Sequence, residues 1–215
     1  MPSSHLVFIP LIFSLGYFAG IWHRRPHVGG RSSPAGTAPR VSGWHLAVAL
    51  LVLVASFAAT HLLPLPGGAN ALHSSLGHQA LFDQSPASST DEVYARLDRY
   101  GEAGRQAYAR FTYTGDVVFP VVLLAFLLVM ARFVAERVMP SKQVRILLLL
   151  APVLWFVSDA LENATIYRLI LEYPTHNDFL GEALGVVTRT KFGLLLASLV
   201  FPMARLATYW RGEQR

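Results

Sequence analysis

The apolar positions of this chain come in unbroken blocks, not in the alternating or three-and-four rhythm of elements that face water on one side. Five blocks stand out: 6–22, 44–63, 117–134, 144–171 and 184–207. A hydrocarbon core about 30 Å thick needs roughly 20 apolar residues in a helix. The last four blocks therefore predict transmembrane helices. The first is shorter and contains Pro10, and it predicts an N-terminal membrane anchor over 1–22. The expected fold class is all-α: a polytopic transmembrane helical bundle of five spans, a four-span core plus the anchor.

The stretches between the blocks differ in kind. Residues 23–43 are rich in Gly, Pro, Ser and Arg and read as a flexible cytoplasmic linker without its own fold. The membrane bundle runs over 44–207 and includes a long connection, 64–114; a short tail, 208–215, follows. Residues 64–90 are turn-rich and predict irregular structure. Residues 91–112 predict a helix, with Ser89 as N-cap and Glu92 completing a capping box. Tyr94, Leu97, Tyr100, Tyr108 and Phe111 give it an aromatic side, which suits a membrane–water interface. This outer interfacial helix is expected to lie over the ends of the bundle. Gly101 and Gly104 weaken it by about 1 kcal/mol each relative to Ala and leave room for close packing.

Charge orders the spans. Arg24, Arg25, Arg31 and Arg40 precede the second block, Arg132, Arg137, Lys142 and Arg145 surround the gap between the third and fourth, and Arg205, Arg211 and Arg215 follow the last. The positive-inside rule places all three groups in the cytoplasm. The expectation is a multi-pass protein of the cell membrane with its N-terminus outside and its C-terminus cytoplasmic. Met1–His5 holds no Lys or Arg and no A-x-A-like site follows, so the first block reads as an uncleaved anchor rather than a cleaved signal.

Composition narrows the class without naming a function. The chain has 215 residues, 53% of them hydrophobic and 14% charged, against about 25% charged in soluble domains. The net charge of +5 is spread over short loops rather than gathered on one basic face, so nucleic acid is not an expected partner. The absence of cysteine excludes disulfides, thiolate metal sites and cysteine nucleophiles. His73, His78 and Asp83 lack the spacing of a metal set and read as loop residues; no metal and no cofactor is expected. Phosphate-loop, G-x-S-x-G and H-E-x-x-H motifs do not occur, which leaves standard kinase, hydrolase and zinc-protease chemistry without support.

The most informative residues are Asp159, Glu162 and Asn163, polar groups inside an apolar run. On a helix they share a sector of about 100° and roughly one turn of rise. Ionisable groups at membrane depth are costly and point to function by default. Asp116 begins the third block, and Thr188, Arg189, Thr190 and Lys191 lie in the first turns of the last. The predicted topology brings all of these to one depth, near Glu172 and Glu182.

Three roles fit. The carboxylates neutralise Lys191 and Arg189 while Asn163 hydrogen-bonds across helices as structural glue. Alternatively, Asp116, Asp159, Glu162, Asn163 and Lys191 line an outer-leaflet pocket for a lipid or an apolar small molecule. In that case Asp159 or Glu162 is the catalytic proton carrier, if there is turnover, and Lys191 tunes it. Thirdly, the acids relay protons or bind cations in a transporter or channel subunit. Arg105 is the first candidate for an anionic headgroup, and Arg105 and Arg110 are also within sequence reach of Asp116. Membrane lipids are the expected partners, and whether the protein is an enzyme or a homo-oligomer is left open by the sequence.

One resemblance joins these parts. Tyr100, Gly101, Gly104, Arg105 and Tyr108 form Y-G-x-x-G-R-x-x-Y, Asp116 and Pro120 open the next span, and Asp159, Glu162 and Asn163 form D-x-x-E-N. The pattern, over roughly 90–200, resembles small multi-pass membrane proteins that recur in bacterial genomes. The resemblance implies no activity. It implies that the outer helix and the polar cluster belong to one unit.

Overall fold

Apolar blocks of this length, with no polar face of their own, close their backbone hydrogen bonds internally as helices. The computed structural model describes residues 41–138 and 141–213. The expected anchor over 1–22, nearly all of the 23–43 linker and the last two residues of the tail lie outside the described residues. Six α-helices follow in order: α1 Gly43–Phe57, α2 Ala69–Ser75, α3 Thr90–Thr112, α4 Gly115–Val138, α5 Lys142–Glu172 and α6 Asp178–Glu213. Strands are absent among the described residues, and the fold is an all-α helical bundle.

Four helical stretches are long and apolar enough to cross a membrane: α1 with its extension, the α4 part of the α3–α4 run, α5 and α6. Large apolar side chains stand exposed along them, among them Leu51 and Val54 on α1, Leu147 and Leu161 on α5, and Leu196 and Met203 on α6. Helices apolar all round, with exposed Leu and Val on every turn, fit lipid rather than water. The chain is by this measure a polytopic membrane protein.

α5 and α6 pack along each other, α4 packs on both, and α1 packs on α4. Leu123, Leu127, Met130 and Trp155 fill the seam between these helices. At one end the seam is clamped by polar contacts. Glu136 accepts a hydrogen bond from the Val41 backbone N–H at 2.6 Å, and Arg137 donates to the Val41 carbonyl at 3.1 Å. Residues expected only to set topology therefore also fix the start of α1 against the end of α4.

The other end carries a compact head. α5 has 31 residues and α6 has 36, about 46 and 54 Å at 1.5 Å per residue, longer than a hydrocarbon core. Their surplus turns supply Ile166, Leu169 and Leu184 to a core with α2, α3 and the intervening loops. The connection 64–90 is less irregular than its composition predicts. Leu72 and Leu76 are buried in that core, so packing stabilises the α2 helix, too short to persist alone.

α3 departs from expectation in two ways. Gly101 has φ 64° and ψ 175°, a conformation essentially reserved for glycine, so the helix is two segments joined at a break. Arg105 donates to the Leu97 carbonyl at 2.8 Å, capping the first segment where the ladder is interrupted. The aromatic side is also not an interfacial anchor. Tyr94, Leu97, Tyr100, Tyr108 and Phe111 are all buried in the head core. Each buried tyrosine tip has a backbone partner. Tyr100 donates to the Ala80 carbonyl at 2.7 Å, Tyr108 accepts from Phe82 N–H at 3.1 Å, and Tyr94 donates to Thr175 and accepts from Asn177 N–H. Rings that tie loops down in this way belong to a protein interior.

The capping box is also half formed. Ser89 Oγ accepts from Glu92 N–H at 3.3 Å, but the Glu92 carboxylate turns to the N–H and hydroxyl of Ser88, both at 2.8 Å. Those two bonds and Arg96 hold the Glu92 carboxyl at about 2. Gly104 packs against Leu76, the close approach expected of it.

Between α1 and α4 the chain makes a second device. α1 continues into a π-helical turn, Ala58–Leu62, where Thr60 Oγ1 donates to the Ser56 carbonyl at 2.8 Å. A Cβ on Gly68 would sit 3.0 Å from the Thr60 carbonyl oxygen, and one on Gly115 would collide with the Gly67 carbonyl oxygen. The loop thus wedges between the end of α1 and the start of α4, which sets where Asp116 lies.

Candidate functional site

α5 presents Asp159, Glu162 and Asn163 on one face, as their spacing dictates. All three are buried, as are Thr188 and Lys191 opposite them on α6. Lys191 Nζ donates to Glu162 Oε2 and lies 3.2 Å from Asp159 Oδ1. Thr188 Oγ1 donates to Glu162 Oε1. Both oxygens of Glu162 are therefore engaged. A buried carboxylate with an adjacent ammonium and a hydroxyl is the arrangement in which a charged pair withstands low dielectric.

The opposite flank of the same face is different. A cavity of about 440 Å³ lies between α4 and α5, lined by Asp116, Val117 and Pro120 from α4 and by Phe156, Asp159 and Asn163 from α5. Thr112, Tyr113, Ala160, Ala164 and Tyr167 complete the wall. Tyr113 and Tyr167 meet edge to face at 5.8 Å. Tyr113, Val117, Ala160 and Ala164 are exposed, so the cavity opens sideways, toward the surface a membrane would cover.

The polar groups on this flank have almost no partners. Asn163 is 8% exposed, and among the described residues its amide makes no hydrogen bond. Asp116 is half-buried and likewise makes neither hydrogen bond nor ion pair among the described residues. Asp159 uses one oxygen for Lys191 and has the other free among the described residues.

The expected site residues thus divide. Asp116, Asp159 and Asn163 share the cavity; Glu162 and Lys191 stand behind it, joined to it only through Asp159. The glue role expected of Asn163 is not found, since no helix partner faces its amide. Arg189, exposed, does not neutralise the acids. Glu172 pairs with Arg168 at 2.7 Å and accepts from Asn177 at 3.0 Å, while Glu182 is exposed.

Arg105 lies elsewhere, in the head. Its guanidinium is held by the Leu97 carbonyl and lies 3.9 Å over the Tyr173 ring. The cation is stacked over an aromatic face while it caps a carbonyl, and among the described residues it makes no ion pair with Asp116. Tyr173 in turn donates to Asp98 at 3.0 Å, which raises the phenol above its ordinary value. Arg110 is exposed and borders a separate, smaller recess by Gly67 and Phe111. His73 bonds Gln84 at 2.9 Å, and His78 is an exposed turn residue with φ 62°.

Asp83 is the residue whose burial sequence reasoning missed. It lies in the head loop that follows α2, between the buried Phe82 and the exposed Gln84. Its Oδ1 is buried without a hydrogen-bond partner among the described residues. No local pattern in the sequence marks its burial, because that depends on the path of an irregular loop. No protein-family model, curated protein or solved structure matches this chain.

Proposed function

We propose that this membrane protein binds a lipid or an apolar small molecule in the cavity between α4 and α5, with Asp116, Asp159 and Asn163 as its polar contacts. The observation that carries this reading is Asn163, a residue 8% exposed that lines the cavity and whose amide has no hydrogen-bond partner among the described residues. A mostly apolar hollow of this size with a few convergent polar groups is what small-molecule sites look like. The charge bias of the loops supports an outer-leaflet position for the cavity. Of the two carboxyls expected to carry a proton, Asp159 is the one that reaches the cavity, and it would serve in any acid–base step.

Glue remains the better reading for Glu162, Lys191 and Thr188, because Glu162 has both oxygens satisfied across the α5–α6 seam. The test is mass spectrometry of lipids that co-purify in mild detergent, wild type beside Ala160→Trp, which fills the cavity from its exposed wall. A species enriched in wild type and lost in the variant supports the reading. Identical lipid profiles from two well-folded proteins refute it.

A further inference from the structure

The polar chemistry of the cavity is one-sided. Asp116 and the free oxygen of Asp159 only accept hydrogen bonds when ionised, and no Lys, Arg or His belongs to the wall. The one cation nearby, Lys191, is taken by Glu162 and by the other Asp159 oxygen on the far side of α5. Three carboxyls, Asp116, Asp159 and Glu162, then share the single ammonium of Lys191, and Asp116 makes no ion pair among the described residues. The basic residues of the head do not make up the difference: Arg105 is bound to Leu97 and Tyr173, and Arg110 borders another recess.

From this we infer that the ligand is an amphiphile with a cationic amine head, which sits between Asp116 and Asp159 while its apolar chain leaves past Ala160 toward the lipid. The inference rests on the reading of the cavity as a binding site and names the ligand class. An ammonium supplies positive charge and donors to Asp116 and to the Asp159 oxygen that Lys191 does not reach. The Asn163 carbonyl oxygen is a further acceptor for it. Phe156, Tyr113 and Tyr167 on the wall add ring faces that attract a cation. A phosphate or carboxylate head would meet two acids and no base. This reverses the expectation of an anionic headgroup held by Arg105.

The test uses three probes with the same ten-carbon chain in sugar-headed detergent at neutral pH: decylamine, decanol and decyl sulfate. Native mass spectrometry counts probe retained by the full chain, with Ala160→Trp defining non-specific adhesion. Decylamine is expected to bind at about tenfold lower concentration than decanol, consistent with the value of one charge-assisted hydrogen bond, and decyl sulfate not above the Ala160→Trp background. Asp116→Asn should bring decylamine down to the level of decanol.

Equal specific retention of all three overturns the amine assignment but leaves the cavity reading standing. Preferred retention of decyl sulfate overturns it outright. If no probe exceeds the Ala160→Trp background, the cavity reading fails as well. Should Asp116→Asn not fold, the order of the three probes on the wild-type protein decides the matter alone.

Discussion

The two flanks of one helix face make the sharpest contrast in this molecule. Toward α6, Glu162 is 1% exposed and both of its oxygens are bonded. Toward α4, Asn163, the next residue, is almost as buried and makes no hydrogen bond among the described residues. Burial alone therefore does not say whether a polar group is satisfied by the protein. The two flanks differ in whether the protein itself supplies the partners. On the α6 flank it does; on the α4 flank it leaves a cavity where they would be.

Removing a partner should hurt on the satisfied flank and do little on the other. The largest effect is expected from Lys191→Met, which strands the Glu162 carboxylate: a loss of about 3–5 kcal/mol in reversible denaturant unfolding in detergent. The double change Lys191→Met with Glu162→Met should be milder than the single one, and a double variant as unstable as the sum would contradict the pairing. Gly115→Ala comes next. It drives a methyl into the Gly67 carbonyl oxygen, and a cost of about 1–3 kcal/mol should appear as a lower Tm.

A smaller effect concerns the head. The folded-state value of Glu92 lies below its ordinary one, so its contribution is complete above the ordinary carboxylate range and is lost as pH falls toward about 2. Glu92→Gln should lower the melting temperature at neutral pH and leave it almost unchanged near pH 2, flattening the acid limb of the profile. The smallest change is expected for Asn163→Leu without ligand. No hydrogen bond is lost, and the shift should stay within about 1 kcal/mol of wild type, of either sign. A loss of 3 kcal/mol at this position would erase the contrast between the two flanks.

How much of this was legible follows from the range of each interaction. The spans are written in block length, which is a local property: α4, α5 and α6 enclose the blocks 117–134, 144–171 and 184–207, and α1 with its π-helical turn covers all but the last residue of 44–63. The shared face of Asp159, Glu162 and Asn163 follows from helical spacing alone. Which of them Lys191 meets depends on how α6 is rotated against α5, and sequence spacing does not carry that angle. The cavity depends on how far α4 stands from α5, set in part by the loop that presses Gly67 against Gly115. Gly101 looks like any helical glycine until its φ is known. Asp83 and the burial of the α3 tyrosines depend on tertiary packing of the loops, where composition says only "turn".

Only residues 173–177 join α5 to α6, and this short connection bears on biosynthesis. The acids of α5 are translated before the lysine that balances them, since Lys191 follows Glu162 by 29 positions. A nascent chain that stopped after α5 would present two unneutralised carboxyls to the translocon, where a charge near a helix centre costs about 2.5–3.5 kcal/mol. With so short a turn, insertion of the two helices together as a hairpin would let the pair carry its own counter-ion into the bilayer.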